Sequence, residues 1–550
     1  MNYKKYNNLI ELFFEQTEKQ QGDKIFLSNL KEPKKNLTWN EVKLSVLKLA
    51  NEISKVIQPG DRCLLISENR PEWMISDLSI MLAGGITVPA YTTYVSRDYD
   101  FIINDCNPSI IVVSNDEQFN KIKNICERNP KIKKIFSFEN LKGIENNAYA
   151  KVENLLKKEI NSEDFKLKIN AQRSDPACII YTSGTQGNPK GVILSHGGIL
   201  SNCEGGHELL KPILEKETRF LTWLPLSHSY EHTVQFIQIA VAAKVFYAES
   251  IDKLIKNMFE CSPHIMTAVP RFYQNLHQKI NASFNKAKGL KKFLVETTVK
   301  LGTKKLRKGN MQFIEKCMNY IAEKLVRRKI KKQFGGSLKT FVSGGGALDK
   351  EIGTFLNAIG LPTLQGYGLT ETSPVVSCNP INDIRIDTVG IPFKCNEVKI
   401  AEDGEILVKG ENVMLGYWNM EKETADVIKN GWLHTGDIGE ITQDGNLKIT
   451  DRKKEIIVSL GGDNISPSKI ENLLCLNEKI KQSFVYGDKK TYLVALIVSE
   501  STENRKEIEI FLENLNKTLS LVEKVKKFKL IEEEFSIENG MLTPTLKLKR

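Results

Sequence analysis

The ten cysteines of this 550-residue chain include no C-x-x-C pair and follow no regular spacing. That excludes the usual zinc-ribbon pattern and a disulfide framework, and suits small core thiols in a reducing cytoplasm. No apolar run reaches about 18 residues, so no transmembrane helix is expected. Internal repeats and low-complexity linkers are missing too, which excludes solenoids and long disordered tails. The first residues, "MNYKKYNNLIELFFEQ", hold only a short apolar patch mixed with acids. They read as an ordinary helix and not as an export signal.

What is present is ordinary globular material, 41% hydrophobic and 26% charged. The length exceeds what one compact core serves, so at least two domains are expected. The net charge of +11 is concentrated: between Lys279 and Lys332 stand 17 Lys and Arg against three acids, a local +14 that leaves −3 for the remainder. Within that stretch Ile314, Met318, Ile321 and Leu325 recur at helical spacing. Two readings of this basic helical insertion, about 279–334, stay open: a solvated surface docked on its own domain, or an amphipathic face lying on an anionic bilayer. Few aromatics and no recognised motif accompany it, so nucleic acid is not an expected partner.

The order of elements indicates α/β architecture. "RCLLIS", "ITVPAY", "PSIIVVSN" and "KIKKIFSF" read as short strands separated by helices such as "PEWMISDLSIMLAGG", which predicts doubly wound layers around a parallel sheet. From about Asn396 the texture changes to alternating strands joined by Asp-Gly turns, a distorted antiparallel β subdomain. The last ninety or so residues read as a small α+β unit ending in two charged helices. The expected domains are 1–452 and 453–550.

Four short stretches carry the chemistry. "YTSGTQGNPKG", Tyr181 to Gly191, lies between two apolar runs and offers hydroxyls, flexible backbone and one cation, a set suited to a phosphate chain. It is a poor Walker loop, because Pro189 precedes Lys190 and Gly191 stands where a magnesium-binding Ser or Thr would be. "FVSGGGALDKE" places three glycines between a strand and a helix, where a flat ring can lie on bare backbone. "LQGYGLTETSPVV" joins an aromatic to a hydroxyl and a carboxylate, and "GWLHTGDIGEI" offers Asp437 in what reads as a tight turn, suited to accept both ribose hydroxyls.

In this order the four resemble the motifs of the adenylate-forming superfamily, the group of acyl-CoA synthetases, luciferases and peptide-synthetase adenylation domains, and are most similar to the long-chain fatty-acid CoA ligases. The resemblance spans nearly the whole chain. It implies ATP, Mg²⁺ and coenzyme A as cofactor and co-substrates, with a fatty acid as the small-molecule partner. Thr182, Ser183, Gly184, Thr185, Gly187 and Lys190 would hold the β and γ phosphates. Gly344, Gly345 and Gly346 would form the adenine platform, with Gln365, Gly366, Tyr367 and Gly368 around the ring and Tyr367 stacked on it. Thr370 would bind the α-phosphate, Glu371 the Mg²⁺, and Asp437 with Arg452 the ribose. Lys454 matches the hinge of a mobile C-terminal lid, and Lys547 its catalytic lysine.

The sequence departs from the family at Gln186, where Thr or Ser is usual. "HSYEH", His228 to His232, also fits the H-x-x-E-H metalloprotease pattern, but no third ligand stands near it. In the resemblance the same stretch lines the acyl pocket through His228, Tyr230 and His232. The expectation is therefore a cytoplasmic, peripherally membrane-associated acid–thiol ligase. Loading of a carrier protein, activation of medium-chain or aryl acids, and a catalytically idle membrane-surface protein are the rival readings.

Overall fold

The computed structural model of the chain describes residues 2–20, 22–31, 36–142, 149–157, 170–182, 189–307, 309–453, 457–459, 464–536, 539–542 and 548–549. The strands Ile86–Ala90, Arg62–Ile66, Ile110–Val113 and Lys134–Ser137 lie side by side and parallel. Cys63 and Leu65 belong to one core and Leu64 to another on the opposite face. Both faces are thus covered, as a parallel sheet of short apolar runs requires. Pro176–Thr182 joins this sheet beside Ile86–Ala90 and turns back antiparallel to Lys190–Ser195, with Thr182 opposite Lys190. The described flanks of the phosphate-loop candidate, Thr182 and Lys190, therefore stand opposite each other at the end of this strand pair.

A second sheet runs parallel from Ile25–Asn29 through Lys244–Tyr247, Arg219–Thr222, Ile265–Ala268 and Thr340–Ser343 to Thr363–Gly368. Between the two sheets lie helices that include Leu9–Lys19, Trp39–Ser54, Pro71–Leu82 and Ser229–Ala240, whose Phe13, Trp39, Trp73 and Phe236 share one core. Local signals start them: a Thr38/Glu41 capping box opens one, and Pro71 stands in the first turn of another. Burying each of the large side chains stabilises the layer by roughly 1.5–3 kcal/mol.

The antiparallel subdomain follows the expected pattern, with Asn396–Ile400 paired to Glu405–Gly410 around Asp403 and Gly404, and Trp432–Ile441 paired to Leu447–Arg452 around Asp444 and Gly445. Asp437, expected in a tight turn, stands instead inside the Trp432–Ile441 strand, opposite Arg452. A register irregularity one residue further on bends the ribbon there, and no turn is needed to aim the side chain.

The C-terminal unit holds the helix Pro467–Leu474, the strands Gln482–Tyr486 and Leu493–Val498 and the helix Arg505–Thr518. The second charged helix expected at its end is a strand, Val525–Ile531, parallel to Leu493–Val498. Buried Val525 and Leu530 are five residues apart, which breaks a period of two, because the register shifts between Leu493 and Val494. A bulge plus three exposed lysines thus disguises the strand.

Candidate active site

A cavity of about 940 Å³ opens where the two sheets, the antiparallel ribbon and the last residues of the chain meet. Its wall carries Thr182 and Lys190 from the hairpin, and His228, Ser229 and Tyr230 from the start of the Ser229–Ala240 helix. Gly344 and Gly345 follow the Thr340–Ser343 strand, Gly366 to Glu371 span the end of the Thr363–Gly368 strand and the turn after it, and Arg452 comes from the ribbon. Leu209, Leu210, Phe220, Val234, Ile237 and Ile265 supply apolar wall. Its volume falls in the range of small-molecule sites.

The polar side chains are held by named partners. Tyr367 donates from its hydroxyl to Asp437 Oδ2 at 2.7 Å, and Arg452 Nε donates to Asp437 Oδ1 at 2.9 Å. Asp437, only 3% exposed, thus sits directly behind two wall residues and orients both. Burial, and then the Asp437 carboxylate, push the Tyr367 phenol well up, so it remains a neutral donor. Ser229 Oγ and Thr370 Oγ1 are 3.0 Å apart. Glu371 follows in the same short turn, and its Oε1 accepts from the Tyr417 hydroxyl at 2.9 Å. His228 caps the Ser229–Ala240 helix, its Nδ1 accepting from the Tyr230 backbone N–H at 3.1 Å.

The glycines of "SGGG" serve two needs. A Cβ on Gly344 would lie 2.8 Å from the Tyr230 ring, so bare backbone lets that ring close in, with its hydroxyl donating to the Val342 carbonyl at 3.0 Å. Gly345 has φ +77°, the left-handed region that favours glycine. Gly346 faces Pro270 and is not on the wall. Gln365 also turns away, its amide bonded to the Ile386 carbonyl.

His232 departs from its expected place. It is fully buried one helical turn below His228, with Nε2 2.8 Å from Asp77 Oδ2 and Nδ1 3.7 Å from Cys178 Sγ. Its ring meets the Pro71–Leu82 helix and is not on the cavity wall. Burial opposes a charge there, yet the Asp77 carboxylate outweighs it and raises His232 to about 10. Glu231 points elsewhere again: it accepts from Thr267 Oγ1 at 2.6 Å, and burial raises it to about 8, so it is protonated near neutrality. The members of H-x-x-E-H therefore face three different surroundings.

Ser183, Gly184, Thr185, Gln186 and Gly187, with the hinge candidate Lys454 and Lys547, lie outside the described residues. Leu548, next to Lys547 in the chain, is on the cavity wall. Sequence reasoning passed over Tyr417, Ser229 and Asp77. Only Ser229, adjacent to His228, had a signal that could have drawn attention to it.

Two covered α/β sheets, an antiparallel ribbon, a small α+β unit and a shared cavity with Thr182 and Lys190 on its wall define the class: the fold of adenylate-forming enzymes. Residues 13–418 match the family model described as AMP-binding enzyme, and residues 454–543 that described as AMP-binding enzyme C-terminal domain. The chain belongs to this AMP-binding enzyme family, in the adenylate-forming acyl-CoA ligase superfamily. It is 31% identical over 538 residues to the long-chain-fatty-acid–CoA ligase FadD15 of Mycobacterium bovis, covering 93% of this chain and 88% of that one. With long-chain-fatty-acid–CoA ligase 5 of Rattus norvegicus it shares 32% over 540 residues, 88% of this chain and 77% of the other. Among solved structures, the anthranilate CoA ligase AuaEII with anthranoyl-AMP superposes at a TM-score of 0.76 and 18% identity, covering 100% of this chain and 97% of that chain. MenE of Bacillus subtilis with ATP and magnesium gives 0.73 and 20%, covering 99% and 98%. These two likenesses concern the fold.

Proposed function

We propose that the chain is an ATP-dependent fatty acyl-CoA synthetase that favours long chains. A carboxylate oxygen of the acid attacks the α-phosphorus of ATP and pyrophosphate leaves with the bond electrons. The sulfur of coenzyme A then attacks the acyl carbon, its proton is lost, and AMP leaves. The observation that carries this reading is that Lys190, Tyr367, Thr370 and Glu371 share one cavity wall with apolar side chains such as Leu209, Val234 and Ile237. The names of the relatives favour long chains over short ones.

No side-chain nucleophile is required, because placement and charge neutralisation carry such transfers. Lys190 offers its ammonium toward the phosphates. Thr370 presents a hydroxyl fixed by Ser229, and Asp437, the ribose candidate, orients Tyr367 and Arg452 on the wall. Glu371 fits a divalent ion: it is a hard oxygen donor on the wall, and one of its oxygens is already oriented by Tyr417. Mg²⁺ bound there would screen the phosphate charge. Residues 453–550 act as the lid, turning about Lys454 to bring Lys547 over the adenylation step and withdraw it for the thiol. Contacts that join this unit to the helix Pro270–Asn285 are weak, such as Arg271 to Glu534 at 4.0 Å and Gln274 to Asn472 at 3.5 Å.

Pyrophosphate release measured over acids of graded chain length tests the reading, with rates expected to rise toward long chains. Acyl-AMP that accumulates in the presence of free coenzyme A would assign the enzyme to carrier-protein loading instead.

The basic insertion sets the protein on an anionic membrane surface. Phe313, Ile314, Tyr320, Ile321 and Leu325 are exposed on Phe313–Ala322 and the turn after it, Ile314 by 73%. The helix Leu254–Cys261, which packs on Arg328–Gln333, adds exposed Ile255 and Phe259. Not every charge is available: Arg327 is buried and donates to the Ala358 and Thr298 carbonyls. No helix among the described residues is long and apolar enough to cross a bilayer, so contact would be peripheral. Ile314→Asp with Leu325→Asp is expected to reduce binding to anionic vesicles at least about tenfold at low salt, and neutral vesicles should bind weakly, since each basic residue contributes about 1 kcal/mol. Equal binding to both vesicles would leave only a solvated surface.

A further inference from the structure

Residues 414–418 carry none of the four motifs, yet they clasp two of them together. The Met414 N–H donates to the Glu371 carbonyl at 2.8 Å, Leu415 N–H to the Ile193 carbonyl at 2.9 Å and Trp418 N–H to the Gly191 carbonyl at 2.7 Å. Tyr417 pairs with Val192 across the hairpin strand. Packing is close enough to dictate Gly191, since a Cβ there would lie 3.1 Å from Trp418 Cβ and 2.9 Å from Ile179 Cγ2. The residue that spoiled the Walker pattern is the seat of this clasp.

The Tyr417 side chain repeats the connection. Its hydroxyl donates to Glu371 Oε1 at 2.9 Å, and Lys190 Nζ lies 4.8 Å from its ring centroid. Its backbone N–H is held by Thr424 Oγ1 at 2.9 Å, so the ring is anchored from both ends. Lys190 and Glu371 come from different sheets and carry opposite charges. If the two charges collapsed onto each other, neither would be free for a phosphate or a cation.

We infer that Tyr417 is a positioning residue that gives the two groups separate partners: its hydroxyl orients the Glu371 carboxylate toward a divalent cation, and its ring holds the Lys190 ammonium for the nucleotide. The inference rests on the roles proposed above for Glu371 and Lys190. The hydroxyl and the ring can be removed separately, which divides the two effects.

ATP binding to the full-length protein, titrated calorimetrically with and without Mg²⁺, tests it. Tyr417→Phe keeps the ring, so affinity without metal should match wild type. The Mg²⁺ concentration for half-maximal tightening should rise about tenfold, the scale of a lost hydrogen bond to a charged group. Tyr417→Leu should in addition weaken metal-free ATP binding about threefold or more, the scale of a lost cation–π contact. Glu371→Gln is the control and should abolish the metal-dependent tightening. A wild-type Mg²⁺ titration for Tyr417→Phe, while Glu371→Gln loses it, overturns the role of Tyr417 alone. Unchanged titrations in both overturn the assignment of Glu371 and the inference with it.

Discussion

Lys547→Ala is expected to slow acyl-adenylate formation by at least about 10³-fold, the scale on which single preorganised charged donors act. The same variant should make thioester from supplied acyl-AMP and coenzyme A at close to the wild-type rate. The asymmetry follows from where charge develops. In the first half-reaction an anion attacks a polyanion, and negative charge builds on the pyrophosphate and the α-phosphoryl oxygens. In the second, the thiol sulfur attacks the uncharged acyl carbon and AMP leaves with the electrons of the carbon–oxygen bond, so the new charge falls on one monophosphate oxygen and no anion has to approach a triphosphate. A cation delivered by a lid serves the first step and obstructs the thiol in the second. Lys547 lies outside the described residues, but Leu548 beside it in the chain reaches the cavity wall. Single-turnover pyrophosphate release and thioester formation, measured separately, check the expectation. Equal losses in both would show that Lys547 serves fold or lid stability and not the charge of one step.

Local chemistry was legible in the sequence wherever a motif and its surroundings agreed. "RCLLIS" and its neighbours are short apolar runs, and runs covered on both faces can only be inner parallel strands. Asp-Gly pairs between alternating residues located both hairpins of the antiparallel ribbon. What escaped depended on distant partners. Asp437 was noticed as a carboxylate, but its geometry comes from Arg452 across the ladder and Tyr367 from another sheet. Tyr417 lies in an unremarkable "GYW", and only the fold brings it under Lys190 and beside Glu371. The Val525–Ile531 strand was hidden by a bulge, since one extra residue reverses the inward phase of everything after it. The resemblance places His232 on the acyl pocket with His228 and Tyr230, whereas its buried partner Asp77, 155 residues earlier in the chain, holds it against another helix.

That last misplacement leads to a second large effect. Asp77→Asn should destabilise the protein by about 3–5 kcal/mol near pH 6, the usual consequence of leaving one member of a buried ion pair alone. Both side chains are fully buried, and Gln235 Nε2 adds a bond of 3.0 Å to the same Asp77 oxygen. The pair bolts the Pro71–Leu82 helix to the helix whose first turn carries His228, Ser229 and Tyr230, so loosening it should also slow adenylation. The pH dependence distinguishes an ion pair from mere packing. His232 is raised in the fold to about 10 from an ordinary 6.5, so its stabilisation is complete below the lower value and disappears as pH climbs through the upper one. The gap between wild type and Asp77→Asn should accordingly be widest near pH 6 and narrow toward pH 10, as urea unfolding at a series of pH values would show. Asp77→Asn combined with His232→Gln should recover part of the loss at pH 6, because no charge is then left buried. A gap that stays constant with pH would mean that the two residues meet as neutral partners, and that shape rather than charge joins the two helices.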